Sequence, residues 1–368
     1  MAAPRSTVWE IEPHTRAKHE ILRRYLQAWI PILGQAGFPE VLYIDGFAGP
    51  GRYAGGEDGS PIIALRAAVG LGARITANVV FLLVEERADR ADALERIVDA
   101  IRRPRNLDVR VAKGQTFEEA FSERRKWYAA RGKTWPPTFA FIDPFGWTGV
   151  AFAIVKEIMG HRNCEILVTF MYEEINRFIG HPDQEANFDI FFGTRDWRSG
   201  IALANPRERN RFLHDLYVRQ LREEASARYV RSFEMRNESD VTDYYLFYAT
   251  NNLVGLRKMK EAMWKVGEPG EFVFSDATDP NQLVLFKREP QYDLLQRQIV
   301  NHFKGKQTTI GEVEEFVLAE TAFRETHYKR QVLRPMELSD PPQVEAVNAS
   351  AGRKRGTYAH KSLKLRFR

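Results

Sequence analysis

One cysteine, Cys164, occurs in 368 residues. A single thiol excludes an intrachain disulfide framework, a cysteine zinc site and an iron–sulfur cluster carried by this chain alone. Cys164 sits in the apolar run Cys164-Glu-Ile-Leu-Val-Thr-Phe-Met171 and reads as a buried strand residue. No apolar run approaches the roughly 20 residues that span a bilayer, so no membrane partner is expected. Met1 to Glu10 lacks the apolar core of a secretion signal, and the expected location is cytoplasmic. No Gly-x-Ser-x-Gly elbow occurs and the eight histidines are scattered, which leaves little basis for Ser/His/Asp catalysis. Acid is missing from one place: Arg353 to Arg368 holds seven basic residues and no Asp or Glu.

What is present is ordinary soluble protein, 44% hydrophobic and 28% charged, long enough for one large domain and a smaller one. The charge is uneven. Lys287 to Arg368 carries 16 Lys and Arg against 10 Asp and Glu, a net +6, while the whole chain is only +5. The other three quarters are thus close to neutral. A basic tail is either a solvated face or a nucleic-acid contact, the latter if it belongs to a folded binding unit.

The chain is organised around Val41-Leu-Tyr-Ile-Asp-Gly-Phe-Ala-Gly-Pro-Gly51. Val41 to Ile44 do not alternate with polar residues, so they predict a strand buried on both faces. Asp45 ends it, and Gly46, Gly49 and Gly51 follow, which let backbone approach a ligand closely. Ser60-Pro61 then opens a helical run, with Pro61 suited to its first turn. The wording, Phe47 included, resembles motif I of Rossmann-like S-adenosylmethionine methyltransferases, whose loop wraps the methionine and ribose parts of the cofactor. A glycine-rich turn without a ligand is the structural alternative.

A first helix, residues 14 to 33, precedes this strand, with Ile21, Leu22, Tyr25, Leu26, Trp29, Ile30 and Leu33 at helical spacing and Lys18, Arg23 and Arg24 largely off that stripe. Strand two, Val79 to Val84, runs into Glu85, 40 residues after Asp45. A carboxylate there can accept both hydroxyls of a ribose, and Glu86 is the alternative if the strand ends one residue later. Past strand three, Asp108 to Val111, Gln115 or Gly114 stands where the methyltransferase plan contacts adenine. Strand four, Thr138 to Ile142, delivers Asp143-Pro144-Phe145-Gly146-Trp147 beside the end of strand one. This resembles the Asp-Pro-Pro-Tyr motif of amino-methyltransferases, in which the acid and a proline carbonyl hold an exocyclic amine and an aromatic ring stacks on the base. Here Phe145 replaces the second proline and Gly146 the aromatic residue, so Phe145 or Trp147 is the candidate stacking ring.

Strand five ends at Met171, before Glu173. A helical insertion at about 175–228 follows, its Phe178, Phe188, Phe191, Phe192 and Trp197 expected to form a small core. Tyr229 to Met235 and Thr242 to Thr250 resemble the antiparallel pair that closes methyltransferase sheets. A helix from Leu256 to Val266 and short strands at Phe272 to Phe274 and Leu283 to Phe286 come next. The predicted domains are 1–289 and 290–368. The second reads as a winged helix, with helices at Leu294 to Phe303, Thr309 to Leu318 and Phe323 to Leu338, and a strand at Leu363 to Phe367. Its third helix presents Lys329, Arg330 and Arg334, and its wing Arg353, Lys354 and Arg355, as nucleic-acid contacts.

Over nearly its whole length the chain resembles the three-Cys-motif partner family. The resemblance rests on Lys18-His-Glu-Ile-Leu22 with Tyr25, Leu26 and Trp29, on Tyr43 to Gly51, on Phe141 to Trp147, on Ala262 to Val266 and on His327-Tyr-Lys-Arg330. It implies a bacterial α/β protein: a Rossmann methyltransferase-like sheet with a C-terminal winged helix. It also implies a radical-S-adenosylmethionine-like partner bearing the three-cysteine motif. Three functions stay open. One is an S-adenosylmethionine methyltransferase on nucleic acid, DNA ahead of RNA, with Asp45, Gly49 and Glu85 on the cofactor and Asp143, Pro144 and Phe145 at the base. Another is a nuclease holding Mg²⁺ or Mn²⁺ on Asp45, Asp143 and Glu173. The third is a non-catalytic partner that presents nucleic acid to the three-cysteine protein.

Overall fold

A computed structural model of the protein describes residues 6–71, 74–267, 273–275, 290–350 and 352–368. The chain divides into two units, Met1–Asn252 with Val273–Pro280, and Leu253–Phe272 with Asn281–Arg368.

In the first unit, helix α1 (Pro13–Gly34) buries Ile21, Leu22, Tyr25, Leu26, Trp29 and Ile30, the face its spacing predicts. Lys18, expected off that face, is buried too. It lies one turn before Leu22 and so extends the same stripe. Strands and helices then alternate: β1 (Glu40–Asp45), α2 (Ser60–Val69), β2 (Asn78–Glu85), α3 (Ala88–Ala100), β3 (Leu107–Lys113), α4 (Phe117–Ala129), β4 (Thr138–Ile142), α5 (Phe152–Gly160) and β5 (Cys164–Phe170). Three more helices, α6 (Tyr172–Phe178), α7 (Glu185–Phe192) and α8 (Pro206–Arg219), precede β6 (Tyr229–Arg236) and β7 (Thr242–Thr250). The short β8 (Val273–Ser275) completes the sheet, whose order is β3-β2-β1-β4-β5-β7-β6-β8. Strands β1 to β5 run parallel, and β7 is antiparallel to both β5 and β6. This is a mixed α/β fold with a large, mainly parallel sheet.

Val41, Leu42, Tyr43 and Ile44 of β1 are fully buried, as a strand covered on both faces requires. Each large apolar side chain so buried contributes roughly 1.5–3 kcal/mol. Glu165 is buried in β5, where Tyr25 of α1 and Thr250 of β7 donate to its carboxylate, the latter at 2.9 Å. These bonds satisfy a carboxylate that would otherwise destabilise the sheet. The aromatics of the insertion do not make a separate core. Phe188, Phe191, Phe192 and Trp197 join the sheet's own cluster through Phe170 and Phe247.

The second unit starts earlier than the expected residue 290. Helix α9 (Leu253–Val266) belongs to it, because the ammonium of buried Lys260 donates to the carbonyls of Val317, Leu318, Thr321 and Phe323 at 2.5–2.9 Å. Two of these carbonyls lie in the last turn of helix α11 (Ile310–Glu320) and two just beyond it, where the helix's C-terminal dipole favours a cation. Helix α10 (Tyr292–Phe303), β9 (Gln307–Thr309), α12 (Arg334–Leu338), β10 (Val344–Ala346) and β11 (Lys364–Phe367) complete the unit, with sheet order β10-β11-β9. The expected long helix from Phe323 to Leu338 begins only at Tyr328, because Phe323 to His327 form bends and turns. Its first part, Lys329–Leu333, is wound wider, as a π-helix, and runs directly into α12, where Pro335 lacks an N–H and its ring would collide with the carbonyl of Gln331 in a regular α-helix. The expected strand at Leu283 to Phe286 lies outside the described residues.

The loop after β10 corrects part of the basic-wing expectation. Arg353 forms two bonds, 2.7 and 2.8 Å, with Glu337, which is 3% exposed. The same carboxylate accepts from the Gly356 N–H and the Tyr358 hydroxyl, both at 2.8 Å. Arg355 donates to the Glu337 carbonyl. Arg353 is therefore a strut of the loop and not a solvated cation. Arg330, Arg334 and Lys354 are exposed, whereas Lys329 is half-buried against the Tyr328 ring. Arg353→Ala should cost about 3 kcal/mol in urea unfolding of this unit, since it strands a buried carboxylate. The Arg353→Ala/Glu337→Gln double variant should recover part of that loss. An unfolding midpoint unmoved by Arg353→Ala would contradict the strut.

Candidate active-site cleft

The order of the sheet reverses between β1 and β4, and the loops leaving their C-terminal ends meet there. The turn after β1 is held by backbone bonds to both neighbours, from Gly46 N–H to the Phe141 carbonyl at 2.9 Å and from Ala48 N–H to the Val84 carbonyl at 2.8 Å. Gly51 has φ +82°, and a Cβ there would stand 2.9 Å from a Leu94 methyl. Any other residue there would be strained by that backbone angle and would have to displace the Leu94 side chain.

Phe47, Gly49, Gly51, Asp143, Pro144 and Phe145 line one cleft. Asp143 accepts from the Lys18 ammonium at 2.7 Å on each oxygen and from the Thr169 hydroxyl at 2.5 Å. Phe145 is 40% exposed, whereas Trp147 is buried and stacks on Phe188 at 4.9 Å. Gly146 explains the difference. At φ +97° it turns the chain so that one aromatic side chain faces the cleft and the next enters the core. Of the two candidate stacking rings, Phe145 is the one at the cleft.

Asp45 is fully buried behind the turn, where it accepts from the Phe47 N–H and the Tyr43 hydroxyl, each at 3.3 Å. Burial pushes its pKa up to about 7, the Ser60 hydroxyl opposing the rise and the Asp143 charge adding to it. Glu85 is 8% exposed and accepts from the Arg87 N–H at 2.8 Å and from the Gly49 N–H. Burial raises its pKa as well. It thus stands directly behind Gly49. Gln115 is not brought to the cleft: its amide donates to Glu123 at 2.8 Å. Glu173 is exposed and hydrogen-bonded to Asp243, whose pKa burial pushes up to about 6. Asp45, Asp143 and Glu173 do not form the expected metal site. Among the described residues no three His, Cys, Asp or Glu side chains converge, and a lysine ammonium occupies the cation position beside Asp143.

Sequence reasoning missed the wall opposite the glycine turn. Trp9 rests on Gly49, 3.7 Å from where a Cβ would be, and its ring meets Tyr53, Phe145 and the Arg90 guanidinium. Its segment is pinned by bonds from Arg90 to the Ser6 carbonyl (3.1 Å), from Thr7 to Asp89 (2.6 Å) and from the Ala54 N–H to the Trp9 carbonyl (2.8 Å). Lys18 and His19 of α1 line the cleft beside it. His19 is 6% exposed, and its Nδ1 has no hydrogen-bond partner. Burial, with the Lys18 charge, holds its imidazole neutral, its pKa down to about 3. The readable signal was the phase of Lys18 on the helix.

No family model matches the chain, and no curated protein matches it. Among solved structures it is similar to a Legionella pneumophila protein of the DUF519 family model, at 11% identity and TM-score 0.37 over 63% of this chain and 85% of that one. It is also similar to Trm1 from Pyrococcus horikoshii, solved with S-adenosyl-L-methionine, at 13% identity and TM-score 0.34, over 71% of this chain and 60% of that one. A third is an O-methyltransferase from Bacillus cereus in complex with SAH, at 13% identity and TM-score 0.31, over 66% and 83%. These values are low, and the functional reading rests on the cleft itself. No helix among the described residues is long and apolar enough to cross a membrane.

Asp45 gives a pH test. Its folded pKa of about 7 lies above the ordinary 3.8, so the folded state holds its proton more tightly than the unfolded chain. Stability from this group is therefore lost as pH rises from about 4 to about 7, by up to roughly 1.4 kcal/mol per pH unit. The unfolding free energy of wild type minus that of Asp45→Asn should fall across this window and level off above it. A difference that stays flat would contradict the assignment.

Proposed function

We propose that this chain is an S-adenosylmethionine-dependent methyltransferase acting on an exocyclic amine of a nucleobase, in DNA ahead of RNA. The observation that carries the reading is one cleft at the sheet's switch point. A glycine turn with an acid behind it lines the cleft, and so does a largely buried carboxylate next to an exposed phenyl ring. The residues fit the cofactor: Gly49 and Gly51, at φ +62° and +82°, bring bare backbone to the cleft's lining, and Glu85, joined to the Gly49 N–H, is the ribose acceptor in this reading. When bound, the cofactor supplies an electrophilic methyl group.

The protein's own part is positioning and charge. Lys18 and Thr169 fix the Asp143 carboxylate, which still has acceptor sites for an amine N–H. That bond orients the nitrogen lone pair toward the turn, and the carboxylate draws positive charge as the new bond forms. Phe145 offers a face for an unstacked base. In the second unit, the helix–strand–helix–helix–strand–strand order with sheet order β10-β11-β9 supports the winged-helix reading. Exposed Arg330, Arg334 and Lys354 are its phosphate contacts under this proposal. The three-cysteine partner, implied by the family resemblance, belongs to the same proposal. No observation favours metal-dependent cleavage.

Wild-type protein should bind S-adenosylhomocysteine in a calorimetric titration, and Glu85→Ala should lose roughly 1–3 kcal/mol of that binding. With labelled S-adenosylmethionine and duplex DNA, single-stranded DNA or RNA, methyl transfer should fall at least about 100-fold in Asp143→Ala and Asp143→Asn. Cofactor binding should survive. Wild type that binds no cofactor at millimolar concentration sinks the reading, and unchanged transfer by both variants removes Asp143 from it. Replacing Arg330, Arg334 and Lys354 together with Ala should reduce the salt slope of duplex binding by about two to three units. An unchanged slope would turn the second unit over to a protein partner.

A further inference from the structure

We infer that the cations gathered around Trp127 form a second nucleic-acid surface, which grips the phosphodiester backbone at the end of the sheet opposite the cleft. This goes beyond the reading above and does not depend on the cofactor. Trp127 is half-buried in the last turn of α4. Four cations stand over its ring: Arg124 and Arg131 each 4.3 Å from its centre, Lys133 at 5.2 Å and Arg110 of β3 at 6.0 Å. A ring has only two faces, so cation–π attraction alone does not account for four. All lie closer to one point than the roughly 8 Å over which salt screens a charge, so their fields add. The sequence keeps the sign, since Arg124 to Ile142 contains five basic residues and no Asp or Glu.

Two of the four are matched within the fold. Arg124 is buried, bonds to the Tyr128 hydroxyl at 2.9 Å and pairs with Glu40 at 3.5 Å, and Arg110 pairs with Asp108 at 2.9 Å. Arg131 and Lys133 are exposed. Arg131 donates to the Trp127 carbonyl at 3.3 Å, and neither it nor Lys133 pairs with an acid among the described residues. The C-terminal dipole of α4, worth about half a negative charge, offsets only part of the two positive charges left over. An anion is the missing partner. The position favours a polyanion. Helix α4 leads from the end of β3 back to the start of β4, so its last turn lies at the N-terminal ends of the parallel strands. The loop into β3 emerges at that same end and carries the exposed Arg102 and Arg105. β3 and β4 stand three strand positions apart, about 14 Å, so the cations are spread along an edge and not focused on one carboxylate. Guanidinium forks and a flanking ammonium are suited to successive phosphates.

The test uses the full chain with a labelled DNA duplex and a labelled single-stranded RNA, read by fluorescence anisotropy over a salt series. Arg131→Glu with Lys133→Glu should weaken binding at low salt by at least about tenfold. Arg131→Ala with Lys133→Ala should lower the salt slope by about 1.8 on the duplex or about 1.4 on the single strand, two phosphate contacts in either case. Combined with Ala at Arg330, Arg334 and Lys354, the losses should add, because the two sets of cations are separate. A thermal melt establishes that each variant is folded, and S-adenosylhomocysteine binding should not change. Polyglutamate serves as the acidic-polypeptide probe. Affinity and slope left unchanged by the alanine pair overturn the inference, as does a wild type that binds neither nucleic acid. A loss confined to polyglutamate assigns the patch to an acidic protein and overturns it too. None of these outcomes bears on the cofactor reading, which calorimetry decides separately.

Discussion

Two carboxylates at the ends of adjacent parallel strands are the constraint around which the first unit is arranged. β1 ends in Asp45 and β4 runs into Asp143, and the parallel pairing of these strands brings both acids to the same edge. Two like charges so placed in a low-dielectric setting repel strongly. The fold separates their roles. Asp45 is sealed behind the glycine turn and driven toward its protonated form. Asp143 is left at the cleft and matched by a buried lysine and a hydroxyl. Removing Lys18 would leave a partly buried carboxylate beside another, which explains why α1 buries a charged residue on its apolar face.

That arrangement shows what was and was not legible in the sequence. The unbroken apolar run Val41 to Ile44, the glycines after it and the acids at Glu85 and Asp143 sit where their spacing put them, because local strand and turn chemistry decides those positions. The burial of Lys18 was not legible as an ion pair. Its partner is 125 residues away, and only the sheet order brings the two together. Phe145 and Trp147 could not be told apart until the left-handed Gly146 was seen between them. Gln115 follows the expected strand, yet its nearest hydrogen-bond partner is a helical acid and not the cleft.

The second unit teaches a similar lesson about basic residues. A run of positive charge suggests a solvated binding surface, but Glu337 draws Arg353 inward and Lys260 is spent on four carbonyls. Both are internal ties that hold loops and a helix end in place. The long third helix was expected from its apolar spacing; it starts at Tyr328 instead of Phe323, and ahead of Pro335 it is wound wider while remaining helical. Charge count alone therefore overstates the surface available to phosphate. Arg330, Arg334 and Lys354 are the exposed cations among the expected contacts of the helix and wing that remain unclaimed by these ties.

The central claim is that the cleft at the switch point of the sheet receives the cofactor. Amide hydrogen exchange measured on the full chain, with and without saturating S-adenosylhomocysteine, addresses it most directly. The amides of residues 46–53, of 85–87 and of 143–147 should slow on addition, because the first and third loops line the cleft and the second is hydrogen-bonded to the glycine turn through Glu85, while those of α10 and α11 should not change. Protection confined to the second unit, or none anywhere, would contradict the account.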